Sequence, residues 1–316
     1  MCQSKLLLRG WVFLLVLVAG GAQAAAQPAP PGRTLLPGAA RDRDTVFREK
    51  TDVVTLTVTV TDPDQRMVAE LGNADFEIYE DNVRQQVEYF SDADAPASVG
   101  IIFDLSGSMA GKLEDARAAL RTFVQTSHPE DDFFGIGFNR RPNLLPEFAD
   151  AATLVRQLDL FGAGGNTALF DAAYLGVEKA RQGRHAKRVL LVISDGEDNA
   201  SRYSFGQLRQ LLKEAGVQVY CVGVGVADEA RRASPGRAVL DEMAKVTGGR
   251  AFFVTSAAEL EEATTRIALE LRRQYSIGYT PTNAERDGRW RGIKVRVSRA
   301  APRVQIRAKA GYYALP

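Results

Sequence analysis

Small oxygen-bearing side chains gather in three short stretches of the sequence. The first reads Asp104-Leu105-Ser106-Gly107-Ser108-Met109 and follows an apolar run. The second, Gly162-Ala163-Gly164-Gly165-Asn166-Thr167, is rich in glycine, and the third reads Ser194-Asp195-Gly196-Glu197-Asp198. Taken alone, Ser108 could simply cap a helix and Asp104 could hydrogen-bond a turn.

Together the three stretches supply a set of hard oxygen ligands. The candidate ligands are carboxylates and hydroxyls: Asp104, Ser106, Ser108, Thr167 and Asp195. The glycines before Thr167 let the backbone approach another group closely. Because the set contains no histidine or cysteine, it suits Mg²⁺, Mn²⁺ or Ca²⁺ and not zinc or copper.

The elements that must position these residues alternate between apolar strands and amphipathic helices. The predicted strands are Gly100–Asp104, Phe133–Phe138, Val189–Ser194, Val217–Val224 and Ala251–Val254, with a short antiparallel edge strand near Asn143–Phe148. Such alternation predicts a doubly wound, mostly parallel α/β sheet with helices on both faces. Ligands of these sheets bind beyond the carboxyl ends of the strands, where the first and third stretches lie.

Both flanks of the α/β segment have the alternating pattern of half-buried strands. Residues 53–60 read VVTLTVTV, and Phe76–Glu80 and Gln86–Phe90 add two short strands. After the segment, alternation returns at Tyr275–Tyr279. Since neither flank holds enough strands for a stable sandwich, we expect the two to pair into one all-β, sandwich-like domain with the α/β domain inserted.

The charges of the two flanks support this pairing. Residues 45–96 carry four basic and twelve acidic residues, whereas residues 272–316 carry eleven basic and two acidic ones. The basic flank has an acidic counterpart in the same chain and no aromatic-rich binding motif, so we expect no nucleic-acid partner. Lys187 and Arg188, which precede a buried strand, are expected to be solvated at the far end of the sheet.

The N-terminus has the pattern of a secretory signal peptide. Lys5 and Arg9 precede an apolar run from Trp11 to Ala19, and Ala22-Gln23-Ala24 is a small-x-small cleavage site. The run is too short to cross a membrane stably, so we expect no membrane span after cleavage. We therefore expect the protein to be secreted or periplasmic. The predicted segments are a signal peptide (1–24), a Pro/Ala-rich leader (25–44), the two parts of the β domain (45–96 and 272–316) and the α/β domain (97–271).

The overall composition narrows the class of protein. The 316 residues are 45% hydrophobic and 25% charged, which excludes a disordered chain, a collagen-like fibre and a multi-span membrane protein. With 40 basic and 39 acidic residues the chain is nearly neutral. Cleavage would remove Cys2 and leave Cys221 as a lone thiol, which its valine neighbours predict to be buried.

The three stretches, in this order, resemble the von Willebrand factor type A family, whose motif is a metal-ion-dependent adhesion site. The resemblance covers about residues 98–272. It implies that Asp104, Ser106 and Ser108 hold the cation, that Thr167 binds it directly or through water, and that Asp195 acts mostly through a bound water. The flanks, at residues 75–81 and 273–279, resemble a bacterial group of exported proteins described as von Willebrand factor A-related.

The resemblance implies a protein-interaction function. Two hydroxyls and few direct carboxylates leave a divalent cation under-neutralised, so it recruits an anionic oxygen, typically an Asp or Glu carboxylate of a partner. We therefore expect an exported, metal-dependent adhesion or protein-binding module, and not an enzyme.

Two other interpretations remain open, and a third, a Ser-His-Asp hydrolase, is disfavoured. The first loop is also similar to haloacid-dehalogenase-type phosphotransferases, which would make the chain a Mg²⁺-dependent hydrolase with Asp104 as nucleophile; those enzymes need a carboxylate where Ser106 stands. The sequence lacks the Gly-x-Ser-x-Gly motif of a Ser-His-Asp hydrolase, and His128 and His185 lie in predicted surface segments. The last alternative is a β domain whose α/β insert has lost its partner.

Overall fold

The computed structural model describes residues 53–145, 148, 151–158, 160, 162–225, 234–298 and 304–314. The predicted signal peptide and leader lie outside these residues. Within them the strands are, in chain order, β1 (Val54–Thr61), β2 (Phe76–Glu80), β3 (Val83–Gln85), β4 (Val87–Ser91), β5 (Ala97–Asp104), β6 (Asp132–Phe138), β7 (Pro142–Leu144), β8 (Lys187–Ser194), β9 (Gln218–Val224), β10 (Ala251–Val254), β11 (Tyr275–Tyr279), β12 (Trp290–Val297), β13 (Gln305–Arg307) and β14 (Gly311–Tyr313). The helices are α1 (Leu113–Thr126), α2 (Ala151–Leu158), α3 (Leu169–Ala180), α4 (Phe205–Glu214), α5 (Pro235–Thr247) and α6 (Ala257–Leu271).

The central sheet has the strand order β10-β9-β8-β5-β6-β7. Its pairs are parallel except at the edge, where β7 runs antiparallel to β6. One face packs against α1 and α6, and the other against α3, α4 and α5, so that every residue of β5, β6 and β9 is buried. The doubly wound prediction is therefore confirmed, including the antiparallel edge strand, which is shorter than expected.

The two flanks combine into a pair of antiparallel sheets. One has the order β13-β1-β11-β4 and the other β14-β12-β2-β3, so each sheet joins strands from before and after the α/β segment. Val54 to Val58 pair with Tyr279 to Tyr275, and a single apolar core that includes Leu56, Ile78 and Ile277 lies between the sheets. The inserted arrangement is confirmed; β3, whose Val83 side chain is exposed, was not predicted.

A buried polar cluster joins the sandwich to the α/β part. Glu270, in the last turn of α6, accepts a hydrogen bond from the Tyr220 hydroxyl at 2.5 Å and pairs with Arg307 of β13 at 2.7 Å. The Gln274 amide donates to Tyr220 at 2.9 Å and to Thr59 of β1 at 3.1 Å. Because both parts of the fold contribute to the cluster, its charges are compensated only when the two are docked.

The start of β8 is more buried than the sequence suggested. The Lys187 ammonium donates to the carbonyls of Leu271 and Ala95, and burial lowers its pKa despite the nearby Asp131. The Nε of Arg188 is shielded from solvent. Both side chains are half-buried, so the expectation that they are solvated is wrong. Arg188 lies beside Thr55 and Thr57 of β1, because the sandwich packs against this end of the sheet.

Cys221 lies in the middle of β9 and is fully buried. Burial raises the pKa of its thiol, so the side chain is inert core, as expected. Among the helices of the described residues, none combines the length and the apolar character that crossing a membrane requires.

Removing the Glu270 carboxylate should weaken the docking of the two parts. We expect Glu270→Ala to lower the free energy of unfolding by about 3 kcal/mol, because Arg307 loses its counter-charge in a largely buried position. Urea denaturation measures the change. Glu262→Ala is the matched control on the same helix, since its pair with Arg266 is exposed and should be worth at most about 1 kcal/mol. Equal losses in the two variants would contradict the role given to the cluster.

Candidate metal centre

Three loops meet at the carboxyl edge of the central sheet. The first loop (104–109) leaves β5 and the third loop (194–199) leaves β8, and these two strands are neighbours in parallel register. The glycine-rich loop (162–167) precedes α3. Parallel strands bring the ends of β5 and β8 side by side, as the strand pattern predicted.

Asp104 is the most enclosed group of this edge. Its side chain is fully buried, and its Oδ1 accepts the backbone N–H of Ser106 at 2.8 Å. Its Oδ2 accepts the Ser194 hydroxyl at 2.5 Å. Burial raises the pKa of Asp104, and the negative charge of Asp195 raises it further. The carboxylate is thus held by neutral donors in a place where a nearby cation would stabilise its charged form.

The hydroxyls of Ser106 and Ser108 lie side by side. Their Oγ atoms are 3.1 Å apart across a short 3₁₀ turn, Gly107–Met109, which the buried Met109 side chain anchors. Ser106 is buried, whereas Ser108 is exposed to solvent at the carboxyl edge of the sheet. Two oxygens on neighbouring vertices of an octahedral Mg²⁺ shell also lie about 3 Å apart, so the pair fits such a cation.

The glycine-rich loop is docked on the first loop through its backbone. The N–H of Gly107 donates to the Gly165 carbonyl at 3.1 Å, and the N–H of Gly164 donates to the Leu105 carbonyl at 2.7 Å. Gly165 has a φ of +87°, a conformation that favours glycine. The close approach inferred from the glycines is therefore an approach to the first loop.

Thr167 is fixed to the third loop. Its backbone N–H donates to the Asn199 side chain at 2.9 Å, and its carbonyl accepts the N–H groups of Asn199 and Ala200 at 2.9 and 3.0 Å. The residue is buried. The position of the Thr167 side chain thus depends on the loop that carries Asp195.

Asp195 stands on a constrained turn. Its Oδ1 accepts the N–H of Glu197 at 3.1 Å, and the side chain is buried. Gly196 follows with a φ of +83°, and a Cβ atom there would lie 2.4 Å from the Gly236 carbonyl oxygen. Only glycine fits this position, which explains the Asp-Gly sequence.

The structure therefore brings the candidate ligands to one edge through different kinds of contact. Ser106 contacts Asp104 and Ser108 directly, and Asp195 acts on Asp104 through its charge. Thr167 is linked to the third loop through Asn199. Their binding to a single cation stays a prediction. Within the described ranges no three His, Cys, Asp or Glu side chains form a metal-binding group, so the hydroxyls are essential to the fit.

Several supporting residues were missed from the sequence. Ser194 hydrogen-bonds both Asp104 and the N–H of Gly196, the latter at 3.0 Å, and so couples the first and third loops. Ser194 opens the third stretch of the sequence, but nothing there marks it as a partner of Asp104. Asp198 is an ordinary loop acid in the sequence, but in the fold it accepts the N–H of Phe170 at 3.2 Å and the Ser201 hydroxyl at 2.6 Å. It satisfies the N-terminus of α3 from a distant loop.

Comparison with known proteins identifies the family. The model of the von Willebrand factor type A domain matches residues 98–266, which is more than half of the chain. The chain belongs to the von Willebrand factor type A family. Members of this family are protein-interaction modules. No curated protein matches the chain.

Several solved structures resemble the chain at low sequence identity. An aerotolerance-related membrane protein from Bacteroides fragilis is 23% identical, with a TM-score of 0.47 and 56% of this chain and 98% of that one covered. A von Willebrand factor type A protein from Catenulispora acidiphila is 13% identical, with a TM-score of 0.49 and coverage of 85% and 74%. Proximal thread matrix protein 1 of the mussel byssus, with a zinc-occupied metal-ion-dependent adhesion site, is 19% identical, with a TM-score of 0.46 and coverage of 61% and 49%.

The coupling through Ser194 can be tested without metal. We expect Ser194→Ala to lower the free energy of unfolding in EDTA by about 1–3 kcal/mol, because the buried Asp104 carboxylate loses a hydrogen bond. Ser108→Ala is the control: its hydroxyl is exposed, so the change in EDTA should stay within about 0.5 kcal/mol. Chemical denaturation measures both. A neutral Ser194→Ala would mean that Asp104 does not depend on this contact.

Proposed function

We propose that this chain is an exported, metal-dependent protein-binding module. It would hold Mg²⁺, or Mn²⁺ or Ca²⁺, at Asp104, Ser106, Ser108, Thr167 and Asp195, and capture an Asp or Glu carboxylate of a partner protein. The observation that carries the proposal is the buried Asp104 carboxylate, which has neutral hydrogen-bond donors and lies beside a pair of hydroxyls 3.1 Å apart.

Each residue has a distinct task in this proposal. Asp104 supplies the negative charge, and Ser194 and the Ser106 N–H orient it. The Ser106 and Ser108 hydroxyls supply neutral oxygens, and Ser108 does so at the exposed side of the edge. Asp195 and Thr167 contribute from the third loop and the glycine-rich loop. A bound divalent cation would supply a Lewis-acidic centre for an external carboxylate.

The charge of the ligand set favours an acidic partner. Asp104 and Asp195 are its only carboxylates, and Asp195 is assigned an indirect role through water. Because three of the five side chains are neutral hydroxyls, they leave the cation's positive charge under-compensated. A carboxylate from outside adds the missing charge, and its affinity then depends on the metal.

Internal charge pairing argues against a nucleic-acid partner. Arg291 of the basic flank lies 3.9 Å from Asp81, and Arg272 pairs with Asp94 at 2.7 Å. Part of the basic charge is therefore used within the fold. The signal-like N-terminus supports export to the periplasm or the medium, where the module would serve adhesion or the recognition of another protein.

Metal binding should appear as thermal stabilisation. A ligand present at about 100 times its dissociation constant stabilises the folded state by about 2.7 kcal/mol. The melting temperature in Mg²⁺, Mn²⁺ or Ca²⁺ should therefore exceed that in EDTA for at least one of these ions. Ser108→Ala, which should leave the metal-free stability unchanged, should lose most of the rise. Acetate at constant ionic strength should tighten Mg²⁺ binding. No ion-dependent rise in the wild type would remove the basis of the proposal.

A binding module and a hydrolase differ in turnover. We expect no Mg²⁺-dependent hydrolysis of an aryl phosphate, because Ser106 stands where a phosphotransferase of this type would place its acid–base carboxylate. Release of nitrophenol, followed over hours beside an established phosphatase, checks this. Turnover that Asp104→Asn abolishes would instead establish the enzyme interpretation.

A further inference from the structure

A small cavity lies at the end of the central sheet opposite the metal centre, where β1 of the sandwich faces the start of β8. Its volume is about 50 Å³. The charged side chains that line it are all basic: Arg188 of β8, Lys213 of α4 and Lys309, which follows β13. No Asp or Glu is among the described residues of its lining.

These three cations lack anionic partners in the part of the chain that the structure describes. The Nε of Arg188 is shielded from solvent and makes no hydrogen bond there. The Lys213 ammonium lies 4.9 Å from the centre of the Trp290 ring, and the Lys309 ammonium lies 5.7 Å from that of Tyr312. Ring faces compensate a cation only weakly at exposed sites.

The Lys309 ammonium is also removed from water. Burial lowers the pKa of Lys309 to about 8, and desolvation is the cause. An anion within the cavity would oppose that shift by stabilising the charged ammonium. The fold thus gathers positive charge around a partly open pocket where an anion would be favoured.

The rest of the lining fits a small oxyanion. Thr55 and Thr57 of β1 add hydroxyl groups, and Gly216 has no side chain to fill the space. A cavity needs about 10–15 Å³ to hold one water, so this one has room for several waters or for a single tetrahedral oxyanion.

We propose that this cavity binds a phosphate or sulfate group between the guanidinium of Arg188 and the ammonium groups of Lys213 and Lys309. A planar guanidinium suits such an ion because it can donate two parallel hydrogen bonds. The bound group would touch β8 and α4 on one side and the sandwich on the other. It would therefore stabilise the docking of the two parts, independently of the metal centre.

Thermal melts of the full chain in EDTA test this site. EDTA removes divalent cations, so no anion can bind through them. Sodium phosphate and sodium sulfate should raise the melting temperature above that in sodium chloride of equal ionic strength. The half-maximal phosphate concentration should increase at least tenfold in Arg188→Met and in Lys309→Met. Lys294→Met, an exposed change on β12, is the matched control and should respond as the wild type does.

A second measurement separates lost binding from lost folding. In chloride alone, Lys309→Met should melt at or above the wild-type temperature, because the uncompensated charge is gone. Titration calorimetry with phosphate then measures the affinity of Lys309→Gln directly, and this affinity should be lower than that of the wild type. Glycerol phosphate distinguishes a phosphate ester from a free ion, and binding of either supports the site. A phosphate response no larger than that of chloride, or one that persists in both cavity variants, would overturn the proposal.

Discussion

The burial of the Asp104 carboxylate is the constraint around which the α/β part is arranged. A carboxylate removed from water costs several kcal/mol unless hydrogen bonds or a cation compensate it. Here the N–H of Ser106 and the hydroxyl of Ser194 do so. Both donors depend on strand ends that are fixed by the pairing of β5 with β8. The sheet therefore determines the geometry of the edge before any ligand arrives.

Much of this arrangement could be read from local sequence. Near-continuous apolar runs identified β5, β6, β8, β9 and β10, and period-two alternation identified β1 and β11. The strand ends then placed Asp104 and Asp195 at one edge. These predictions succeed because strand burial depends on the residues of the strand itself.

The predictions that failed concern residues whose environment depends on contacts between distant segments. Ser194 and Asn199 are ordinary polar residues in sequence, and only the docking of three loops gives them partners up to ninety positions away. Lys187 and Arg188 look like solvated strand ends until the sandwich covers them. The β3 strand has an exposed valine and only three residues, so it has no periodic pattern to detect.

The α/β part joins the sandwich through two short connections. Residues 92–96 lead from β4 into β5, and residues 272–274 lead from α6 into β11. Both connections lie at the end of the sheet away from the metal centre. This has a mechanical consequence. A force applied at the metal centre is transmitted along β5, which is hydrogen-bonded to β6 and β8 over its length. The bonds on both sides are loaded in shear and must break together, so the insert should resist traction better than a strand that unzips from one end.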